Sequence, residues 1–173
     1  MKKKLLSILL TAAMATTVVS GTALIVNADS EGDLSGKTFA IVIRNSGNPY
    51  AEKEADGFKQ VIEAAGGECI IKSPEKATAD AQIPLIQSLI SQEVDAIAIA
   101  SNDVNALTAC LQDAMDEGIK VLSLDSNVVP EARQTFVNQA GVTEIGQALA
   151  DAVYDISGGS GEFAILSASS QSA

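Results

Sequence analysis

Lys120-Val-Leu-Ser-Leu-Asp125-Ser126 reads as a short buried strand that runs into a carboxylate. Gly118 and Ile119 close a helical pattern before it. Val121, Leu122 and Leu124 then supply an apolar run too short and too rich in β-formers to be a helix of its own. In an open parallel sheet such a run is covered by helices on both faces. Its carboxyl end opens into the crevice where ligands of that architecture bind. Asp125 sits at this end. An ionised carboxylate beside apolar strand residues is costly unless something hydrogen-bonds it. Two roles are open to it: contact with a ligand, or a cap on the loop before Pro130. The ligand role is favoured because the same pattern recurs on the other strands.

Upstream, Phe39-Ala-Ile-Val-Ile-Arg44 is strand-like and ends in polar residues. Ala51, Ala55, Phe58, Val61, Ile62 and Ala65 follow at helical spacing until Gly66-Gly67. Glu68–Lys72 is a second strand. Asp80 can cap a helix carrying Ile83, Ile86, Leu89 and Ile90, with Pro84 tolerable only near its start. Asp95–Ala100 is a third strand, followed by Ser101-Asn102. Asp103 is placed to cap a helix with Leu107, Cys110, Leu111 and Ala114 inward, ended by Gly118. Downstream, Thr135–Gln139 is a shorter fifth strand. Val142–Ser157 carries Ile145, Leu149, Val153 and Ile156 on one stripe, stopped by Gly158-Gly159, and Glu162–Leu166 reads as a sixth strand. Strands alternating with helices in this way predict βαβ units, hence an α/β, doubly wound parallel sheet with helices on both faces.

The amino terminus is of another kind. Met1-Lys2-Lys3-Lys4 is a basic start, Leu5 to Val26 is mostly apolar or small, and Val26-Asn27-Ala28 has small residues where a signal peptidase reads. Residues 1–28 are therefore read as a secretory signal peptide, with a membrane anchor as the alternative. No cysteine near the site suggests lipid attachment. Residues 29–37 form a polar tail. After Ala28 the chain holds 22 acidic and 8 basic residues, a net charge of −14 that opposes binding to nucleic acid or an anionic membrane. Histidine and tryptophan are absent, which excludes histidine-based catalysis and His-ligated metal within the chain. Cys69 and Cys110 could pair in an exported protein, but each is flanked by apolar residues, and buried free thiols are the favoured reading.

The strand ends collect polar residues: Arg44-Asn45, Ser73, Ser101-Asn102, Asp125-Ser126 and Asn138-Gln139. In a parallel sheet these ends share one edge. Short hydrogen-bonding side chains with one cation and one anion suit a small, neutral, hydroxyl-rich ligand. Tyr50, just after the first strand, could cover the apolar face of a sugar-like ring. No GxGxxG or GxxxxGK[ST] pattern occurs, so a nucleotide site is not indicated, and no cofactor or metal is expected. Asp95, Asp103 and Asp125 could in principle gather a cation or act as a carboxylate pair, but Asp103 is better explained as a cap. A secreted α/β enzyme acting on carbohydrate through Asp125 is the alternative to a binding protein.

Phe39–Arg44, Asn48-Pro49-Tyr50, Val94-Asp-Ala-Ile-Ala-Ile99, Gly118-Ile-Lys-Val-Leu122, Asp125-Ser126 and Phe136-Val-Asn-Gln139 together resemble the type I periplasmic sugar-binding proteins of ABC importers. The resemblance covers Thr38 to Ala173. Asp125-Ser126 and Val137-Asn-Gln139 are similar to the branch that binds rhamnose or autoinducer-2. Ribose-type members usually place Arg where Ser126 stands, which points away from plain ribose specificity. The resemblance implies Arg44 as a basic ligand contact, Asp125 as the acceptor of ligand hydroxyls and Tyr50 as the aromatic cover. Asn45, Ser101, Asn102 and Ser126 lie in the corresponding loops. It further implies two lobes that close on a sugar, with residues 38–139 as the first and 140–173 as the truncated start of the second. It implies an ABC permease with its ATPase as partner, a monomer, no enzymatic activity and an exported location, periplasmic or at the cell surface.

Overall fold

The computed structural model describes residues 32–166, so the signal-peptide reading of residues 1–28 lies outside the described residues. Five strands form one sheet: β1 (Thr38–Val42), β2 (Glu68–Lys72), β3 (Ala96–Ile99), β4 (Lys120–Leu124) and β5 (Thr135–Val137). Every pairing is parallel and the spatial order is β2-β1-β3-β4-β5. Helices α1 (Pro49–Ala64), α2 (Ala79–Ser91) and α3 (Thr108–Asp116) connect the first four strands, and a 3-10 turn at Pro130–Ala132 connects β4 to β5. Helix α4 (Val142–Ser157) follows. This is the α/β doubly wound arrangement expected.

The core has two layers, one on each face of the sheet. On one face Ala40, Val42, Ile97, Ile99 and Val121 pack with Ile86 and Leu89 of α2 and Cys110, Leu111 and Ala114 of α3. On the other, Ile41, Ile43, Ala98 and Leu124 pack with Ala51 and Ala55 of α1. Alternate residues of one strand thus serve opposite layers, as the period of two requires. Small alanines on α1 let that helix lie close to the strands. Cys69 is half-buried and Cys110 buried, both are free, and burial pushes both thiols up from their ordinary pKa.

Some local expectations need correction. Helix α2 begins at Ala79 with Thr78 in the cap position and no side-chain cap, so Asp80 lies inside the first turn rather than capping it. There its charge still complements the helix amino end. The helix runs through Pro84, the sixth of its residues; Pro84 and Asp80, whose carbonyl loses its N–H partner, are both exposed, so the missing bond lies on the solvent side. Asp103 holds a turn ahead of α3 instead of the helix itself: its Oδ1 accepts from Asn105 N at 2.8 Å and Ala106 N at 2.9 Å. Residues 162–166, expected as a sixth strand, form no strand. A strand needs a ladder partner for its backbone groups, and no described strand pairs with this segment. The apolar stripe of α4 is exposed along its length, Leu149 at 64% for example.

Candidate functional site

In the order 2-1-3-4-5 the connections reverse direction between β1 and β3, and the carboxyl ends of those strands form a natural crevice. The sequence beyond each end explains what gathers there. Asn48 and Pro49 start α1 at once: Asn48 Oδ1 accepts from Tyr50 N at 3.0 Å, Pro49 takes a first-turn position, and Glu52 reaches back to Gly47 N at 3.0 Å. An amide acceptor at the cap and a proline with no N–H to satisfy are both favourable at a helix start. Tyr50 is thereby fixed at the lip of the crevice, 56% exposed.

Arg44 extends from β1 across the switch point. Its Nε donates to Asn102 Oδ1 at 3.2 Å, beyond β3, and its Nη1 donates to Ser126 Oγ at 3.0 Å, beyond β4. Asn102 Nδ2 donates back to Arg44 O at 2.7 Å. Beneath them lies Gln82 of α2, fully buried. Its Nε2 donates to Ala100 O at 2.8 Å and Ile43 O at 3.2 Å, and its Oε1 accepts from Asn102 N at 2.9 Å. One amide thus satisfies three backbone groups where two strands stop pairing.

Asp125 occupies the left-handed backbone region, φ +55°, and the chain folds back so sharply that Leu124 and Ser126 form an antiparallel bridge around it. Aspartate tolerates this conformation better than most residues. Its Oδ1 accepts from Gln139 Nε2 at 2.9 Å and its Oδ2 from Ser126 Oγ at 3.2 Å. Gln139 Nε2 also donates to Tyr50 Oη at 3.3 Å, closing a ring of contacts from α1 to the loop beyond β5. The next residue of the β4 loop, Asn127, is held by Ser123 Oγ at 2.7 Å and Arg133 Nε at 2.8 Å.

Arg44, Tyr50, Asn102, Asp125 and Ser126 therefore come together, joined by Gln139. Asn45 turns away and donates to Ser46 O at 2.8 Å. Ser101 is buried, its hydroxyl engaged with the backbone of Asp103. Sequence reasoning passed over Gln82 and Glu54. Gln82 sits one turn before Ile86 on the buried stripe of α2, and a glutamine there was the available signal. Glu54 sits one turn after Tyr50 on α1. Burial, then the charge of Asp125, push the Glu54 carboxyl up from its ordinary pKa. Burial, then Asp125 and Glu54, do the same to the Tyr50 phenol.

A surface pocket of about 830 Å³ opens at the opposite, amino edge of the sheet, beside Lys37, Phe39, Asp95 and Lys120. Its one ion pair among the described residues is structural. Asp95 accepts from Lys37 Nζ at 2.7 Å and Thr38 N at 2.8 Å, tying strand starts together. The carboxyl edge, where cation, anion, amides and hydroxyl converge, is the candidate site.

Comparison with known proteins places this geometry. Residues 39–173 match the model of the periplasmic binding protein domain. A D-ribose/D-allose-binding protein of Pseudomonas aeruginosa is 28% identical over 121 residues, covering 65% of this chain and 35% of that protein. The crystal structure of an ABC transporter solute binding protein from Clostridium phytofermentans with bound L-rhamnose is 56% identical. It superposes with a TM-score of 0.77 over 79% of this chain and 42% of that one. LsrB from Clostridium saccharobutylicum in complex with AI-2 is 28% identical, with a TM-score of 0.66 over 68% of this chain and 36% of that one. The chain thus spans less than half the length of these relatives. With the fold, the strand order and the matched span all in agreement, the chain belongs to the periplasmic binding protein domain family.

Proposed function

We propose that this chain supplies one lobe, residues 38–139, and the beginning of a second, residues 140–173, of an exported solute-binding protein. The protein captures a small, neutral, hydroxyl-rich ligand and delivers it to an ABC permease with its ATPase. The observation that carries this reading is the convergence of Arg44, Asn102, Asp125, Ser126 and Gln139 at the switch point of the parallel sheet. Arg44 offers donors to ring or hydroxyl oxygens, Asp125 accepts from hydroxyls, and Asn102 and Gln139 do both. Tyr50 stands at the lip, where an aromatic face covers the apolar side of a sugar ring. Closure of a second lobe over the ligand would exclude water and strengthen each of these bonds. L-rhamnose is the first candidate, supported by the 56% identity to a rhamnose-bound protein. AI-2 and pentoses come next.

The test is calorimetric titration of the full-length protein with L-rhamnose, D-ribose and AI-2, repeated with Asp125→Gly. Glycine removes the carboxylate while fitting the φ of +55°. A hydrogen bond to a charged group contributes about 1.5–3 kcal/mol, so affinity should fall roughly ten- to a hundredfold. The melting temperature without ligand should hold. A fall in melting temperature with affinity intact would mean that Asp125 only shapes its loop, and would sink the proposed role. No turnover of the bound sugar is expected.

A further inference from the structure

Glu54 stands where the small core under α1 meets the candidate site. Ala55 beside it is buried against Ile41, Ile43 and Leu124, and Leu124 leads directly into Asp125. One turn before Glu54 on the same helix face is Tyr50. One carboxylate oxygen of Glu54, Oε2, is sealed from water and has no hydrogen-bond partner among the described residues. Such an oxygen is costly to keep, since folding strips its water and returns nothing. A residue serving only the fold would find a partner here, or be leucine and extend the core. Glu54 does neither. The charge it feels most is that of Asp125, which is repulsive. Because no hydrogen bond from the described residues holds the carboxyl, it can turn about its terminal torsion, which is broad and two-fold.

We propose that Glu54 is a specificity-determining residue of this site, whose carboxyl turns to accept a ligand hydroxyl adjacent to the one taken by Asp125, so that the two acids together read a vicinal diol. The inference rests on the sugar-binding reading above and adds the ligand class: a sugar with neighbouring free hydroxyls on the side facing α1. Arg44, held across the crevice by Asn102 and Ser126, faces the remainder of the ligand. Two carboxylates that repel each other in the free protein each gain a donor when a diol binds, so a sugar lacking either hydroxyl forfeits one of the paired contacts.

The test is calorimetry on the full-length protein as wild type, Glu54→Leu and Glu54→Gln, with L-rhamnose, D-ribose and the monodeoxy derivatives of whichever sugar binds. Glu54→Leu should weaken binding ten- to a hundredfold while the ligand-free melting temperature holds or rises. Glu54→Gln, which keeps an acceptor, should lose less. One monodeoxy sugar should bind wild type and Glu54→Leu equally, because the contact is already gone. Binding by both variants within twofold of wild type overturns the role of Glu54 alone. So does a loss in Glu54→Leu that every deoxy sugar shares. Should Glu54→Leu fold poorly, Glu54→Gln with the deoxy series decides. Failure of wild type to bind either sugar overturns this inference, and failure to bind AI-2 as well overturns the proposed function with it.

Discussion

Replacing Gln82 by methionine keeps the volume of a fully buried side chain and removes its three hydrogen bonds, at 2.8, 2.9 and 3.2 Å. Ile43 O, Ala100 O and Asn102 N lose their side-chain partner in a site that water does not reach. At a net of about 1 kcal/mol per bond the loss is about 3 kcal/mol. That is a large part of the roughly 5–15 kcal/mol by which a domain is stable. With a urea slope of about 2 kcal/mol/M, the midpoint should fall by about 1.5 M with the slope unchanged. Gln82→Glu should be worse, because a carboxylate would then face two carbonyl oxygens in the core. Ligand affinity should drop in both variants, since Asn102 loses the bond that sets its backbone and Arg44 leans on Asn102. A cost under about 1 kcal/mol for Gln82→Met, with Gln82→Glu no worse, would refute the idea that this amide ties the strand ends together.

Other perturbations are simpler to read. Asp103→Ala removes the acceptor for Asn105 N and Ala106 N and should cost about 1 kcal/mol in urea unfolding. Those bonds from Ala106, then Asn105, hold the Asp103 carboxyl below its ordinary pKa. Its stabilisation is therefore complete above the unfolded value and disappears as pH falls through the lowered folded value. Thermal melts of wild type and Asp103→Ala should differ at neutral pH and converge in acid. Glu54 has the opposite sign, because burial and Asp125 raise its pKa. Its contribution is present below the unfolded value and lost as pH rises through the raised one. Melting temperatures of Glu54→Leu relative to wild type should thus be higher at pH 7 than at pH 4, and a flat difference would count against the assignment.

The first four strands and the helices between them were legible because their signal is local. An apolar run of four or five residues, a glycine stop and a helical stripe each depend on neighbours within a turn or a strand. The parallel sheet then follows from the alternation itself. The last expected strand, at 162–166, failed for a reason of the same kind turned around. Glu162-Phe-Ala-Ile-Leu166 has strand composition, but a strand exists only with a partner, and partnership is not written in five residues. The exposed stripe of α4 makes the same point, since its spacing sets a helix but not what covers it.

For the candidate site, the sequence by itself determined which residues could take part: polar side chains at the carboxyl ends of strands destined for one edge, with Arg44 and Asp125 as the charged pair. Only the tertiary structure decided which of them meet. Arg44 is separated by 82 positions from Ser126 and by 58 from Asn102, yet bonds to both. Asn45, its immediate neighbour, turns back on Ser46, because the chain has left β1 at Val42 and no ladder fixes where a side chain there points. Gln82 and Glu54 escaped notice because helical spacing marks a residue as inward without saying whether it ends in packed carbon or in a polar crevice. That distinction is made by what distant stretches of the chain bring against it: here Asn102 beyond β3 and Asp125 beyond β4, placed by the strand order rather than by any local pattern.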